Sequence, residues 1–199
     1  INNGSNVNAL VGGGVIADLA GSTTADNRRF YHAPDVSVVS EGTDKSLMIA
    51  IGSGFQAHPL NKDISDRFYA IEFSDVHAPP RSYTKLIEDD LYDATDNHLG
   101  HISADNTVAQ QTTANSERGS ANGWYIQLGS TGEKVLASSI TVGGEVFFTT
   151  YEPTATSSGC TVSAGTPWLY HINITDATPV VNYYDAANSL DTELTRPDR

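Results

Sequence analysis

Side chains with chemical potential cluster in a few short stretches of the sequence. In LMIAIGSGFQAHPLN (47–61), an apolar run ends at Gly52-Ser53-Gly54, and His58-Pro59 follows. A Gly-rich turn after a strand binds phosphate when it opens a helix. Here Pro59 follows with no helical period, and the G-x-S-x-G pattern of a nucleophile elbow is absent. The residues therefore predict a tight bend in which glycine supplies a positive φ. Pro59 biases His58 toward extended geometry. His58 is then expected to fix the loop rather than to act as a base or metal ligand.

The stretch EDDLYDATDNHLGH (88–101) gathers Glu88, Asp89, Asp90, Asp93 and Asp96, with His98 and His101 spaced i, i+3. Oxygen clusters suit calcium, and a histidine pair suits zinc. Asp93, Asp96 and Asn97 are the metal-ligand candidates, for calcium. They supply only part of the alternating-oxygen pattern that a calcium loop needs, so weak binding at most is expected. The plainer reading is a solvated acidic helix end and loop. In NRRF (27–30), Arg28 and Arg29 could pin a loop through a carboxylate such as Asp35, or hold an anionic ligand. Trp124, Tyr125, Trp168 and Tyr170 could stack on a sugar, but aromatics on strands more often pack between sheets.

The balance of charge narrows the partners. The 199 residues carry a formal charge of −13, which argues against nucleic acid or anionic lipid as a ligand, since both need a cationic face. Apolar runs of about five residues fall far short of the ~18 that a membrane-spanning helix needs. The opening INNGSNVNAL has neither an initiator Met nor a signal-peptide pattern, so a processed chain or a piece of a longer one is expected. Cys160 has no second cysteine to pair with. Abundant small polar residues and few lysines suit an exported bacterial protein.

The elements that must position these residues are short strands between Gly, Pro, Asn and Asp punctuation. Strands are expected at 14–20, 33–40, 46–53, 67–74, 123–129, 134–143, 145–152, 168–175 and 179–184. Tyr83, Leu86, Ile87 and Leu91 predict one short helix over 83–93. Residues 93–122 are polar and weakly patterned, as in an insertion or mobile loop. DRFYAIEFSD (66–75) aligns with PWLYHINITD (167–176) at a constant offset of 101, and similar strands precede and follow each copy. The class expected is all-β: a partial or modified β-propeller of four-stranded antiparallel blades, with one short helix and a long polar insertion at about 83–122. Residues 1–199 form a single domain, a fragment of a larger propeller. Residues 1–32 end a preceding blade and lead in, 33–129 and 134–184 form two blades, and 185–199 are a tail.

NRRFYHAPDVSVV (27–39), LMIAIGSGFQAHPLN (47–61), DRFYAIEF (66–73) and LYDATDN (91–97), with GWYIQL and later segments to 175, together resemble the C-terminal domain of the PilC/PilY proteins. These are type IV pilus tip-associated adhesins and biogenesis factors. The resemblance implies a modified propeller with a quinoprotein-like repeat, to which FYAIEFSD and LYHINITD are similar. It implies a non-enzymatic protein at the cell surface or pilus (fimbrium), exported through the periplasm of a Gram-negative bacterium. Its implied partners are minor pilins at the pilus tip and host or abiotic surfaces. The family's EF-hand-like loop, D-x-D-x-N-x-x-x-D, is not found in this sequence, so no calcium role transfers from it to any residue. Two other functions stand as alternatives. One is an extracellular carbohydrate- or protein-binding propeller unrelated to pili. The other is a fragment of a quinoprotein dehydrogenase, against which stand the missing Trp-docking repeat and vicinal cysteine pair.

Overall fold

Alternation of side chains builds the first sheet. The computed structural model describes residues 15–74, 84–100, 106–154 and 165–181. In β2 (Asp44–Gly52), Met48 and Ala50 are buried on one side, and Ile49 and Ile51 are half-buried on the other. β1 (Asp35–Glu41) pairs antiparallel with β2. β3 (Arg67–Phe73) takes the other edge of β2, with Ala70 opposite Ala50. β5 (Gly123–Gln127) pairs antiparallel with β3, and the short β4 (Tyr92–Asp93) runs parallel to β5 at the sheet edge. The order is β1-β2-β3-β5-β4. Four strands meander through 35–127 as expected, and β4 adds a fifth.

In the second sheet, β8 (Glu145–Glu152) pairs along its length with β9 (Thr166–Asn173). Two short strands, β6 (Lys134–Val135) and β7 (Ile140–Val142), share the other edge of β8. Residues 134–143 therefore form two strands, not one. β7 returns into β8 through Gly143-Gly144, whose φ values of 64° and 91° fit a type I′ hairpin. The strand expected at 179–184 begins as a bridge between Pro179 and Ile172; residues 182–184, Cys160, His101 and the 185–199 tail lie outside the described residues.

One core joins the sheets. Met48, Ala50, Phe68, Ala70 and Trp124 of the first meet Val146, Phe148, Tyr170 and Ile172 of the second. The rings of Phe68 and Phe148 stack at 3.8 Å and 4°, and those of Phe148 and Tyr170 at 4.5 Å and 11°. Trp124 Nε1 donates to the Ile174 carbonyl at 2.8 Å. The opposite face of the first sheet, with Tyr69 and Ile71, packs on Leu19, Leu86 and Leu91.

The sequence repeat governs how the sheets meet. Tyr69 and Ile71 align with Tyr170 and Ile172. Yet Tyr69 and Ile71 point away from the shared core, whereas Tyr170 and Ile172 point into it. The two units thus stack head to tail, the Phe68 face of the first on the Tyr170 face of the second. A two-fold pairing would instead bring like faces together. In the second sheet the counterpart of the Phe68 face is open among the described residues: Ile140, Val142 and Leu169 are exposed there.

The short helix expected over 83–93 forms elsewhere. Residues 84–87 are not helical, because their backbone groups bond across the chain. Leu86 N donates to Ile16 O at 2.9 Å, and Asp18 N donates to Leu86 O at 2.8 Å. A single 3-10 turn, Glu88–Asp90, then leads into β4. The helix lies instead in the polar stretch, as α1 (Val108–Ser120). Its N-terminus is held by a capping box: Thr107 Oγ1 accepts from Gln110 N, and the Gln110 side chain accepts from Thr107 N at 3.0 Å. Only Ala114 is buried, so no apolar stripe announces it.

Candidate interaction surface

The Gly52-Ser53-Gly54 bend is a junction between the sheets. Neither Gly52 nor Gly54 has a positive φ, which corrects the reason expected for glycine. A Cβ at Gly52 would collide with the Val135 side chain, and one at Gly54 with the Val135 carbonyl. Close approach of β6 therefore requires glycine at both positions. Val135 N donates to Ser53 O at 2.9 Å. Ser53 Oγ, fully buried, donates to Asp66 Oδ1 at 2.7 Å and accepts from Arg67 N at 2.9 Å. Burial raises the Asp66 carboxyl above its ordinary range, more than its bond from Ser53 lowers it. The His58 ring packs edge-on against Phe55 at 4.7 Å.

The two arginines of NRRF have different tasks, and neither forms an ion pair with Asp35. Arg28 is buried; it donates to Leu19 O, Ser65 O and Asp26 Oδ1, and lies 3.4 Å from Glu88 Oε1. Glu88 also pairs with Arg67 and accepts from Tyr69 Oη at 2.7 Å. Arg29 instead lies 3.6 Å over the Phe55 ring.

The acidic stretch is thereby divided. Glu88 enters the arginine network, and Asp90 Oδ2 accepts from Ile87 N at 2.8 Å. Asp93 accepts from Thr95 N through Oδ1 and from Tyr125 Oη through Oδ2, both at 2.9 Å. Asp96 points outward, its carboxylate 4.0 Å from His98 Nε2. Asn97 sits at φ 53° in the turn after β4, a conformation that asparagine tolerates. Among the described residues, no group of three or more His, Cys, Asp or Glu side chains is placed to hold a metal ion.

The buried pair Glu133 and Lys134 gives no signal in the sequence. Lys134 Nζ donates to the carbonyls of Pro59 at 2.9 Å, Asn61 at 2.8 Å and Gly132, which fills an ammonium's three donors. It thus clamps the loop after Gly54. Glu133 accepts from Thr150 Oγ1, Tyr170 Oη and Ser130 N. The aromatics also divide: Trp124 and Tyr170 are core, while Trp168 is half-buried and donates to Glu152 at 2.9 Å.

Three concavities share lining residues. The largest of the three, about 580 Å³, lies between α1, the first sheet and the turn after β9, lined in part by Val39, Glu72, Leu99, Arg118 and Asp176. Ser120, Ala121 and Asn122 also line a second, of about 370 Å³, with Asp89, Asp90, Asp93 and Glu117. Val39 and Thr175 also line a third, of about 430 Å³, which reaches Glu145 and Pro179. Among the described residues, Arg118 is the cation lining them; it pairs with Glu72 and donates to Thr175 O, both at 2.7 Å. The Tyr92 hydroxyl is pushed up to about 12, first by burial and then by Glu117, Asp93, Asp96 and Asp176.

No protein-family model matches the sequence, and no curated protein matches it. Among solved structures, the chain is similar to the crystal structure of the Pseudomonas aeruginosa PilY1 C-terminal domain, with a TM-score of 0.51 and 15% sequence identity. The match covers 80% of this chain and 34% of that one, so the protein shares a PilY1-like fold over about a third of the neighbour's length.

Proposed function

We propose that the protein is a non-enzymatic, type IV pilus-associated module that takes part in pilus biogenesis and surface adhesion. The similarity in fold to the PilY1 C-terminal domain carries this reading. The head-to-tail stacking of two repeat units supports a propeller-like arrangement, since only stacking of that sense continues from blade to blade. The polar groups with chemical potential also serve the fold. Ser53 and Asp66 bond each other inside the sheet junction, His58 packs on Phe55, and Arg28 and Glu88 hold the segments around them. The module would act at the pilus or cell surface, on minor pilins at the tip or on host and abiotic surfaces. Immunogold labelling of intact cells with antibody against residues 15–181 tests the placement. Gold on surface pili is expected; gold confined to the cell interior would rule the reading out.

A further inference from the structure

We propose that the groove formed by the three adjoining concavities binds an extended, basic peptide segment of a partner protein. The concavities adjoin at shared walls: Ser120, Ala121 and Asn122 line both the first and the second, and Val39 and Thr175 both the first and the third. A run of joined hollows across two sheets suits a chain in extended conformation. Its lining includes apolar side chains, Val39 and Leu99 in the centre and Pro179 at one end.

Charge selects the occupant. Among the described residues, seven carboxylates line the groove, and Arg118, the cation among them, is already engaged by Glu72 and the Thr175 carbonyl. A ligand rich in lysine or arginine complements that field, and an anionic one is repelled. Four of the carboxylates line the second concavity, two the first and one the third, and among the described residues no three of them are placed to hold a metal ion. Charges spaced in this way call for cations spaced along a chain. A sugar would need an open aromatic platform, and among the described residues the ring that lines the groove, Tyr92, is 5% exposed. The groove carries this inference whether or not the protein serves pili.

The test uses a fluorescent octapeptide library with Lys or Arg at alternate positions, read by anisotropy. Glu117→Lys alters the groove, and Asp63→Lys makes the same charge change at a residue that lines none of the three concavities. Both residues are exposed, and circular dichroism checks that both variants are folded. The library should bind the native protein, weaken at least about tenfold with Glu117→Lys, and change less than about twofold with Asp63→Lys. Equal weakening in the two variants would reduce the effect to net charge and overturn the proposal. So would failure of the library to bind, or equal binding of a matched library with Glu in place of the basic residues.

Discussion

Truncating Phe148 to Ala should separate the two sheets energetically. The Phe148 side chain is 2% exposed and lies between two rings, Phe68 at 3.8 Å and Tyr170 at 4.5 Å. Phe→Ala at a buried site costs about 3–5 kcal/mol, and more where the walls cannot collapse. Here one wall is held in place, because Tyr170 Oη donates to buried Glu133. The expected loss is therefore about 4 kcal/mol, which for a domain of this size lowers Tm by about 8–16 °C. The assay is urea unfolding followed by tryptophan fluorescence. The chain has two tryptophans, Trp124 in the first sheet and Trp168 in the second, so Trp→Phe variants report each sheet separately. In the parent protein both reports should share one transition, and Phe148→Ala should move both together. Leu169→Ala on the open face should cost much less, since Leu169 is 44% exposed. A loss below about 1.5 kcal/mol with Phe148→Ala, or separate transitions at the two tryptophans, would refute the single shared core.

Other outcomes follow from the site geometry. The folded-state value of Asp66 lies above the ordinary 3.8, so the folded state keeps a proton that the unfolded chain has lost. Its contribution is present below pH 3.8 and is lost as pH rises through the raised value. Asp66→Asn should remove that fall from a stability–pH profile; an unchanged profile would contradict it. Lys134→Met should cost roughly 1–3 kcal/mol, since three carbonyls lose a charged donor. It should also open the loop after Gly54 to trypsin at Lys62; unchanged cleavage there would argue against the clamp. Calorimetry should find calcium binding no tighter than roughly 10⁻⁴ M, because both Asp93 oxygens already accept hydrogen bonds. Tight binding abolished by Asp93→Ala and Asp96→Ala would show otherwise.

Strands were legible where their side chains alternate against a core. The runs around Met48, Phe68, Trp124, Phe148 and Tyr170 all form strands. The 101-residue repeat also marks equivalent strands, each antiparallel to the one before it. Features fixed by distant partners were not legible. The 84–87 segment has a helical spacing of apolar residues, but residues 16–18 capture its backbone. α1 shows no apolar stripe, and its one local signal is the Thr107–Gln110 capping box. Gly52 and Gly54 announce a bend, while their cause, Val135, lies some eighty residues downstream. Arg28 is bonded to residues 19, 26 and 65 and lies near Glu88; nothing in NRRF chooses these over Asp35. The groove needs α1, both sheets and the 175–180 segment together, so no single stretch of sequence displays it.

The pilus reading is tested most directly by counting surface pili in the bacterium that makes this protein. The codons for residues 15–181 are removed in frame and then restored from a plasmid. Sheared surface pili and adhesion should fall together on removal and recover together on restoration. Unchanged piliation and adhesion after removal would contradict it.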